Sequence, residues 1–417
     1  MSRLKRLVSF RVSPIFGRMV PFKVGLALVW AWGASNALAS PPPMTPRDVD
    51  FTGNHPMRNV EGMFPDPEVT WTSGGSYSAP AISIDIMGDL SVKFQHFNNS
   101  EKLGNATFQL NFAELEMPNG TTTQLLVNGQ SSASGPVSIP AYGTFWSPTF
   151  QISGWDNWIH AGTLRVGYQI NTSSIPGLLG FGMTREWRFI VNLEPPIGHM
   201  NPVWHELLEE STLYAWGELS ADPVAYDLTF GLYYAERFAY VGWPYYAKWI
   251  ENNTFLLEEL LSTPGWISGN CHDVANYLMF LFQTQGLQGQ SMVRFLEGGG
   301  HFVTNEICPI GSDSDNPSTY ITVLWGNHGV VFWNDLNFDA CLALKLAPDL
   351  SNYFNPPASW SHSDHWYKSH GAQFTGVAKR YATTAESLFN YIDPSIHPMY
   401  HVPSSVDDVP FPLQGVL

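Results

Sequence analysis

The chain has 417 residues and a formal net charge of −16 at pH 7, from 20 Lys and Arg against 36 Asp and Glu. Such an acidic surface repels nucleic-acid phosphates and anionic membranes, which excludes nucleic acid as a partner held by charge. Hydrophobic residues make up 44% of the chain and charged residues only 13%. That balance excludes a disordered chain, and the length predicts two domains.

Residues 1–39 carry six basic side chains (Arg3, Lys5, Arg6, Arg11, Arg18 and Lys23) and no acid. The apolar run over 24–32 is too short to span a bilayer, and Ala37 and Ala39 stand at the two positions a signal peptidase reads. The segment reads as a secretory signal peptide, with an uncleaved anchor as the alternative. Cleavage takes the net charge from −16 to −22. The expected location is secreted, periplasmic or cell-surface, without membrane insertion after cleavage. Three cysteines leave at least one thiol unpaired. Cys308 and Cys341 are either a disulfide or two buried thiols.

Residues 40–75 are rich in Pro, Gly and Asp and read as a linker or loose arm. Over 76–193, seven short runs such as "LSVKFQHF", "TFQLNFAEL" and "EWRFIVNL" predict an all-β sandwich of the immunoglobulin-like kind, antiparallel and without an inter-sheet disulfide. The boundary is "EPPIGHMNP". After it, "VWHELLEESTLYAWGEL", "DPVAYDLTFGLYYAERFAYVG", "YYAKWIENNTFLLEELLST" and "CHDVANYLMFLFQTQ" predict helices. Strands return in "SMVRFLEG", "HFVTNEICPI", "YITVLW", "HGVVFW" and "LNFDACLAL". Residues 196–400 therefore predict an α+β domain with helices preceding an antiparallel sheet. A helix is also expected at "TTAESLFNYI", and 401–417 form a tail.

The chemistry centres on "SGNCHDVANYLMFLFQTQGL". Asn270 is a good N-cap, and Asp273 stands where it can complete a capping box. Cys271 is then the first helical residue, ahead of an apolar face of Val274, Leu278, Leu281 and Phe282. Partial positive charge and unpaired N–H groups at a helix start favour thiolate over thiol and can hold an oxyanion. By itself such a cysteine is better explained as a buried apolar residue; a nucleophile also needs a base.

The passage "HGVVFWNDLNFDA" supplies one. Read as two strands joined at Asn334-Asp335, it pairs Trp333 with Leu336. Side chains alternate between faces along a strand, so His328 and Asp339 then share a face as diagonal neighbours. Asp339 can orient the imidazole and His328 can act as base.

This order of cysteine at a helix start, histidine on a strand and aspartate on the next resembles the transglutaminase-like superfamily, relatives of the papain fold. "GNCHDVANYLMFLFQTQGL" is similar to that family's cysteine helix, "HGVVFWNDLNFDA" to its histidine hairpin, and "AWGELSADPVAYDLTFGLYYAERFAYV" to its helical lead-in. The resemblance covers roughly residues 205–345. It implies a Cys271–His328–Asp339 triad acting on a peptide or amide carbonyl through a thioester, with the Cys271 N–H, assisted by the Asn270 side chain if the cap leaves it available, holding the oxyanion. It implies no cofactor and no metal, and a protein or peptide substrate. The chain departs from the family in two places: the hairpin is short, and His272 follows the cysteine where well-known members have an aromatic residue.

Other residues offer weaker chemistry. His301 is a rival base without a suitably placed acid, and Asp335, at the turn, is a poorer orienter than Asp339. "SHSDHWYKSHG" gathers His362, Asp364, His365 and His370, which as a zinc set would make a metal-dependent hydrolase; a polar loop fits better. "HELLEE" at His205 lacks the second histidine of a zinc-protease helix. Asp313 and Asp315 resemble the start of a calcium loop but lack its glycine and distal glutamate. Asn98 and Asn105 head glycosylation sequons that matter only in a host that glycosylates exported proteins. Two functions compete: a secreted cysteine acyl-transfer enzyme (protease, deamidase or transglutaminase), and a non-catalytic surface or adhesion protein that retains the fold.

Overall fold

Alternation of apolar and polar residues gives each N-terminal strand one inward face. Leu90–Asn98 and Gly104–Glu116 bury every second side chain along much of their length, as half-buried strands do. The computed structural model describes residues 44–58, 60, 81–101, 104–127, 132–133, 135–172, 181–235, 237–241, 247–296, 302–303, 307–312, 324–325, 327–334, 336–344, 377–379, 406–410 and 415–416. All of them belong to the body Pro43–Leu417. It is β-rich, with several sheets and a few helices. No helix among the described residues is long and apolar enough to cross a membrane.

The first half contains β1 (Met44–Thr52), β2 (Met57–Arg58), β3 (Ile82–Asp85), β4 (Leu90–Asn98), β5 (Gly104–Glu116), β6 (Phe150–Ser153), β7 (His160–Thr172) and β8 (Phe181–Asn192). One sheet runs β1-β4-β6 and is extended by Leu126–Val127; a second runs β3-β8-β7-β5 and is extended by Thr122–Gln124. The two meet where Phe94 of β4 stacks on Tyr168 of β7, ring centroids 4.0 Å apart. His96 Nε2 is hydrogen-bonded to the Tyr168 hydroxyl at 2.9 Å. Burial, with Arg185 nearby, holds the His96 pKa at about 4, so this core histidine is neutral at pH 7.

Two sequence expectations are corrected here. The stretch read as a loose arm over 40–75 contains β1, antiparallel to β4 with a bulge between Pro46 and Asp48, and β2, which pairs with Val203–Trp204. Val49 and Phe51 alternate into the core, and Phe51 meets Trp187 edge-on at 4.9 Å. The proline is tolerated because it lies at the bulge of an outer strand. The expected all-antiparallel pairing also fails at one edge, where β3 runs parallel to β8. Parallel pairing requires a long connection, and about a hundred residues separate the two strands.

The second half has helices α1 (His205–Tyr214), α2 (Ala221–Tyr234), α3 (Leu257–Ser262) and α4 (Cys271–Thr284). Among the described residues of the helix expected over "YYAKWIENNTFLLEELLST", most are not helical. Ile250–Glu251 pairs with Thr254–Phe255 as a hairpin, because Asn252 and Asn253 adopt φ of 49° and 59°, the left-handed turn that asparagine tolerates. Only α3 remains helical.

Apart from His272, every residue of α4 is buried, so it is a central helix and not one with a single apolar face. It packs on α1, α2 and an antiparallel sheet built of β9 (Gln290–Leu296), β10 (Asn327–Trp333), β11 (Leu336–Phe338), β12 (Val377–Lys379) and β13 (Val406–Pro410), in the order β12-β11-β10-β9-β13. The segment read as a tail thus contributes an edge strand to this sheet. Arg188 of β8 donates to both carboxylate oxygens of Glu209 on α1, at 2.6 and 2.5 Å. Burial opposes ionisation of Glu209, but Arg188 and His205 hold its pKa at about 2. One hydrophobic cluster runs through both halves.

Because Phe51 is 1% exposed, Phe51→Ala is expected to lower unfolding stability by about 3 kcal/mol in urea denaturation. A loss below about 1 kcal/mol would mean that β1 is only loosely attached.

Candidate active site

The start of α4 is held by a reciprocal cap. Asn270 Oδ1 accepts the N–H groups of His272 at 2.9 Å and Asp273 at 3.2 Å. Asp273 Oδ2 accepts the Asn270 N–H in return at 2.9 Å. The cap engages the Asn270 side-chain oxygen and leaves its Nδ2 hydrogens, the donors an oxyanion would use, outside the cap. Neither of the N–H groups that Asn270 accepts is the Cys271 N–H, which lies in the first helical turn where N–H groups have no partner within the helix.

Asp273 reaches further. Its carboxylate also accepts the N–H groups of Lys248 and Trp249, each at 2.9 Å. Burial pushes its carboxyl up, and the Asn270, Trp249 and Lys248 N–H groups oppose that shift. The cap residue therefore ties a separate segment of chain to the start of the cysteine helix.

The histidine arrives on β10. The ladder pairs Val331 with Phe338, Phe332 with Asn337 and Trp333 with Leu336, the expected register, and Asn334 takes the positive φ of 48° that the turn needs. Beyond Phe338 the chain leaves the strand, and Asp339 bridges two groups. Its Oδ1 accepts the Cys341 N–H at 2.9 Å and its Oδ2 accepts from His328 Nε2 at 2.7 Å. Nδ1 is the nitrogen left for the thiol. Burial pulls the His328 pKa down, but the Asp339 carboxylate and then the Cys271 thiol outweigh it, and the result is about 9. The imidazole is thus protonated at neutral pH.

His328, Asp339 and Cys271 are 0%, 2% and 5% exposed, so all three are buried. Cys341 is a free buried thiol, which rules out the disulfide alternative for it. Burial, then the Asp339 and Cys271 charges, pushes the Cys341 thiol well above its usual range. It is therefore a neutral, unreactive thiol; the Cys308 side chain lies outside the described residues.

Gly329 is a site residue that sequence reasoning missed. A Cβ there would stand 2.7 Å from the Cys271 carbonyl oxygen and 3.1 Å from the His272 Cα. Only glycine lets β10 lie directly on the first turn of α4, and the one available signal was its place beside His328. His301, Asp313, Asp315, Asp335, His362, Asp364, His365 and His370 lie outside the described residues, as does the segment read as a signal peptide. Among the described residues, no group of three or more His, Cys, Asp and Glu could hold a metal ion.

No protein-family model and no curated protein matches the chain. Among solved structures, a family 123 glycoside hydrolase from Clostridium perfringens has 9% identity and a TM-score of 0.22, over 48% of this chain and 38% of that one. A structure from Parabacteroides distasonis, provisionally described as a protease, has 6% identity and a TM-score of 0.19, over 72% of this chain and 66% of that one. A pilus chaperone–tip adhesin complex from Acinetobacter baumannii has 9% identity and a TM-score of 0.15, over 60% of this chain and 85% of that one. Similarity at this level carries no argument about this chain.

Two variants test the geometry. Gly329→Ala must push β10 off the helix start; it is expected to slow iodoacetamide labelling of Cys271 at pH 7 about tenfold or more, since a misplacement of ~1 Å can cost as much as ~100-fold. Asp339→Asn removes the main group that raises the His328 pKa. A His328 pKa above 6.5 in the folded state stabilises the fold fully below about pH 6.5, and this contribution is lost as pH rises through about 9. Unfolding followed between pH 6 and 10 should show that loss in the parent chain and a flatter profile in Asp339→Asn.

Proposed function

We propose that the chain is an exported cysteine acyl-transfer enzyme, with Cys271 as nucleophile, His328 as base and acid, and Asp339 as orienter. The observation that carries this reading is the buried 2.7 Å bond from His328 Nε2 to Asp339, on an imidazole whose protonation also depends on the Cys271 thiol. An apolar structural cysteine has no use for either.

In the proposed cycle the reacting form is the Cys271 thiolate beside the His328 imidazolium, and the thiolate attacks a peptide or amide carbonyl. The Cys271 N–H and the positive end of α4 stabilise the oxyanion. Collapse of the intermediate breaks the C–N bond, and the His328 imidazolium gives its proton to the leaving amine. Water or a second amine, deprotonated by His328, then resolves the thioester and returns the thiol. Water makes the enzyme a protease or deamidase; an amine makes it a transglutaminase. With this reading go the finer fold assignment, an immunoglobulin-like sandwich followed by a transglutaminase-like domain, and a secreted, periplasmic or surface location with a protein or peptide substrate. A non-catalytic adhesion protein is the competing reading, and it would not need an aspartate-bound histidine beside the thiol.

The test is turnover of a peptide-amide library, followed as amine release with and without an added amine acceptor. Cys271→Ala and His328→Ala are each expected to reduce turnover about a thousandfold or more. In the parent chain kcat/KM should fall above about pH 9, where His328 loses the proton it must give to the leaving amine. Unchanged turnover in both variants would sink the proposal.

A further inference from the structure

We infer that Lys248 is a specificity residue that binds a carboxylate carried by the substrate close to its scissile carbonyl. This deepens, and rests on, the reading of Cys271 as an acyl-transfer nucleophile.

The backbone of Lys248 is fixed to the cysteine helix. Its N–H donates to Asp273 Oδ2, the same oxygen that accepts the N–H of the N-cap Asn270. One carboxylate oxygen therefore separates Lys248 from the residue preceding Cys271. The side chain is fixed as well. Nζ donates to Ser268 Oγ at 2.9 Å and lies 4.9 Å from the centroid of the Trp249 ring. Trp249 is itself buried, and its indole N–H donates to the Ser268 carbonyl at 3.0 Å. A lysine normally loses much rotamer freedom when it binds an anion; here the chain has already restricted it. Ser268 occupies one of three ammonium donors, which leaves two for another acceptor.

The charge environment makes this lysine unusual. Lys93, Arg165 and Arg188 each lie on a carboxylate, of Asp50, Glu114 and Glu209 respectively. Among the described residues no carboxylate forms an ion pair with the exposed Lys248 ammonium. The nearby Asp273 carboxylate, which accepts the Lys248 backbone N–H and feels its charge, is shared with Asn270 and Trp249. In a chain with 36 acidic residues, a restrained cation that forms no ion pair among the described residues, tied to the start of the cysteine helix, suits a partner that brings its own carboxylate. The body's negative field is screened beyond about 8 Å at physiological salt, so at contact distance the local ammonium outweighs it.

The experiment uses the full chain and two reagents that form the same S–C bond with loss of iodide. Iodoacetate carries a carboxylate and iodoacetamide does not. The ratio of their rates at Cys271, read by peptide mass spectrometry at pH 7 and low salt, cancels any effect on the thiolate itself. Lys248→Gln keeps a donor for Ser268 and removes only the charge. It is expected to lower the iodoacetate-to-iodoacetamide ratio about threefold to sixfold, the range for one solvated unit charge acting on a singly charged reagent. Lys248→Arg should keep the parent ratio, and about 0.5 M NaCl should move the parent toward the Lys248→Gln value. If iodoacetamide labels Cys271 rapidly but the ratio is the same in Lys248→Gln, Lys248 is only a clasp for Ser268 and the inference is overturned while the enzymatic reading stands. If iodoacetamide labels the parent no faster than an ordinary thiol, the enzymatic reading fails and the inference falls with it.

Discussion

The buried bond between His328 and Asp339 is the constraint on which the rest of the site depends. An imidazolium and a carboxylate out of water each cost several kcal/mol unless they are paired and their other polar atoms are used. The structure meets that demand from neighbouring backbone and side chain. Asp339 spends one oxygen on the imidazole and the other on the Cys341 N–H. This backbone bond fixes the carboxylate just after the strand ends, and the carboxylate in turn decides which imidazole nitrogen is left for the sulfur.

The same bond explains why the cysteine helix is central. In the proposed triad the thiol must be placed within tenths of an ångström of the imidazole, and side chains on packed elements hold such tolerances better than those on loops. Helix α4 is surrounded by α1, α2 and the sheet, with Phe282 against Phe338 at 5.1 Å. Its start is locked by the Asn270–Asp273 cap. Asp273 also places a buried carboxylate near the helix end that favours anions. Its three backbone N–H partners disperse that charge over the segment it anchors, so the helix end stays available to the sulfur.

Legibility followed the range of the forces involved. The cap, the hairpin register and most strands depend on residues a few positions apart, and all could be read from "GNCHD", "FWNDL" and the alternating runs. The errors had local causes too. Pro46 hid the Val49–Phe51 alternation of β1, and Asn252-Asn253 was passed over inside an apolar stretch although asparagine pairs are turn formers.

The amino-acid sequence by itself determined that a cysteine begins a capped helix and that a tight turn at Asn334 brings Asp339 back toward His328. Hydrogen-bond geometry at the helix start and at the turn requires both. Only the tertiary structure decided that β10 lies on the first turn of α4, that Asp273 fastens Lys248 and Trp249 to it, and that Cys341 is sealed as a neutral thiol. Each of these joins segments distant along the chain, and such contacts are settled by how the elements fill a common core, which no local pattern encodes.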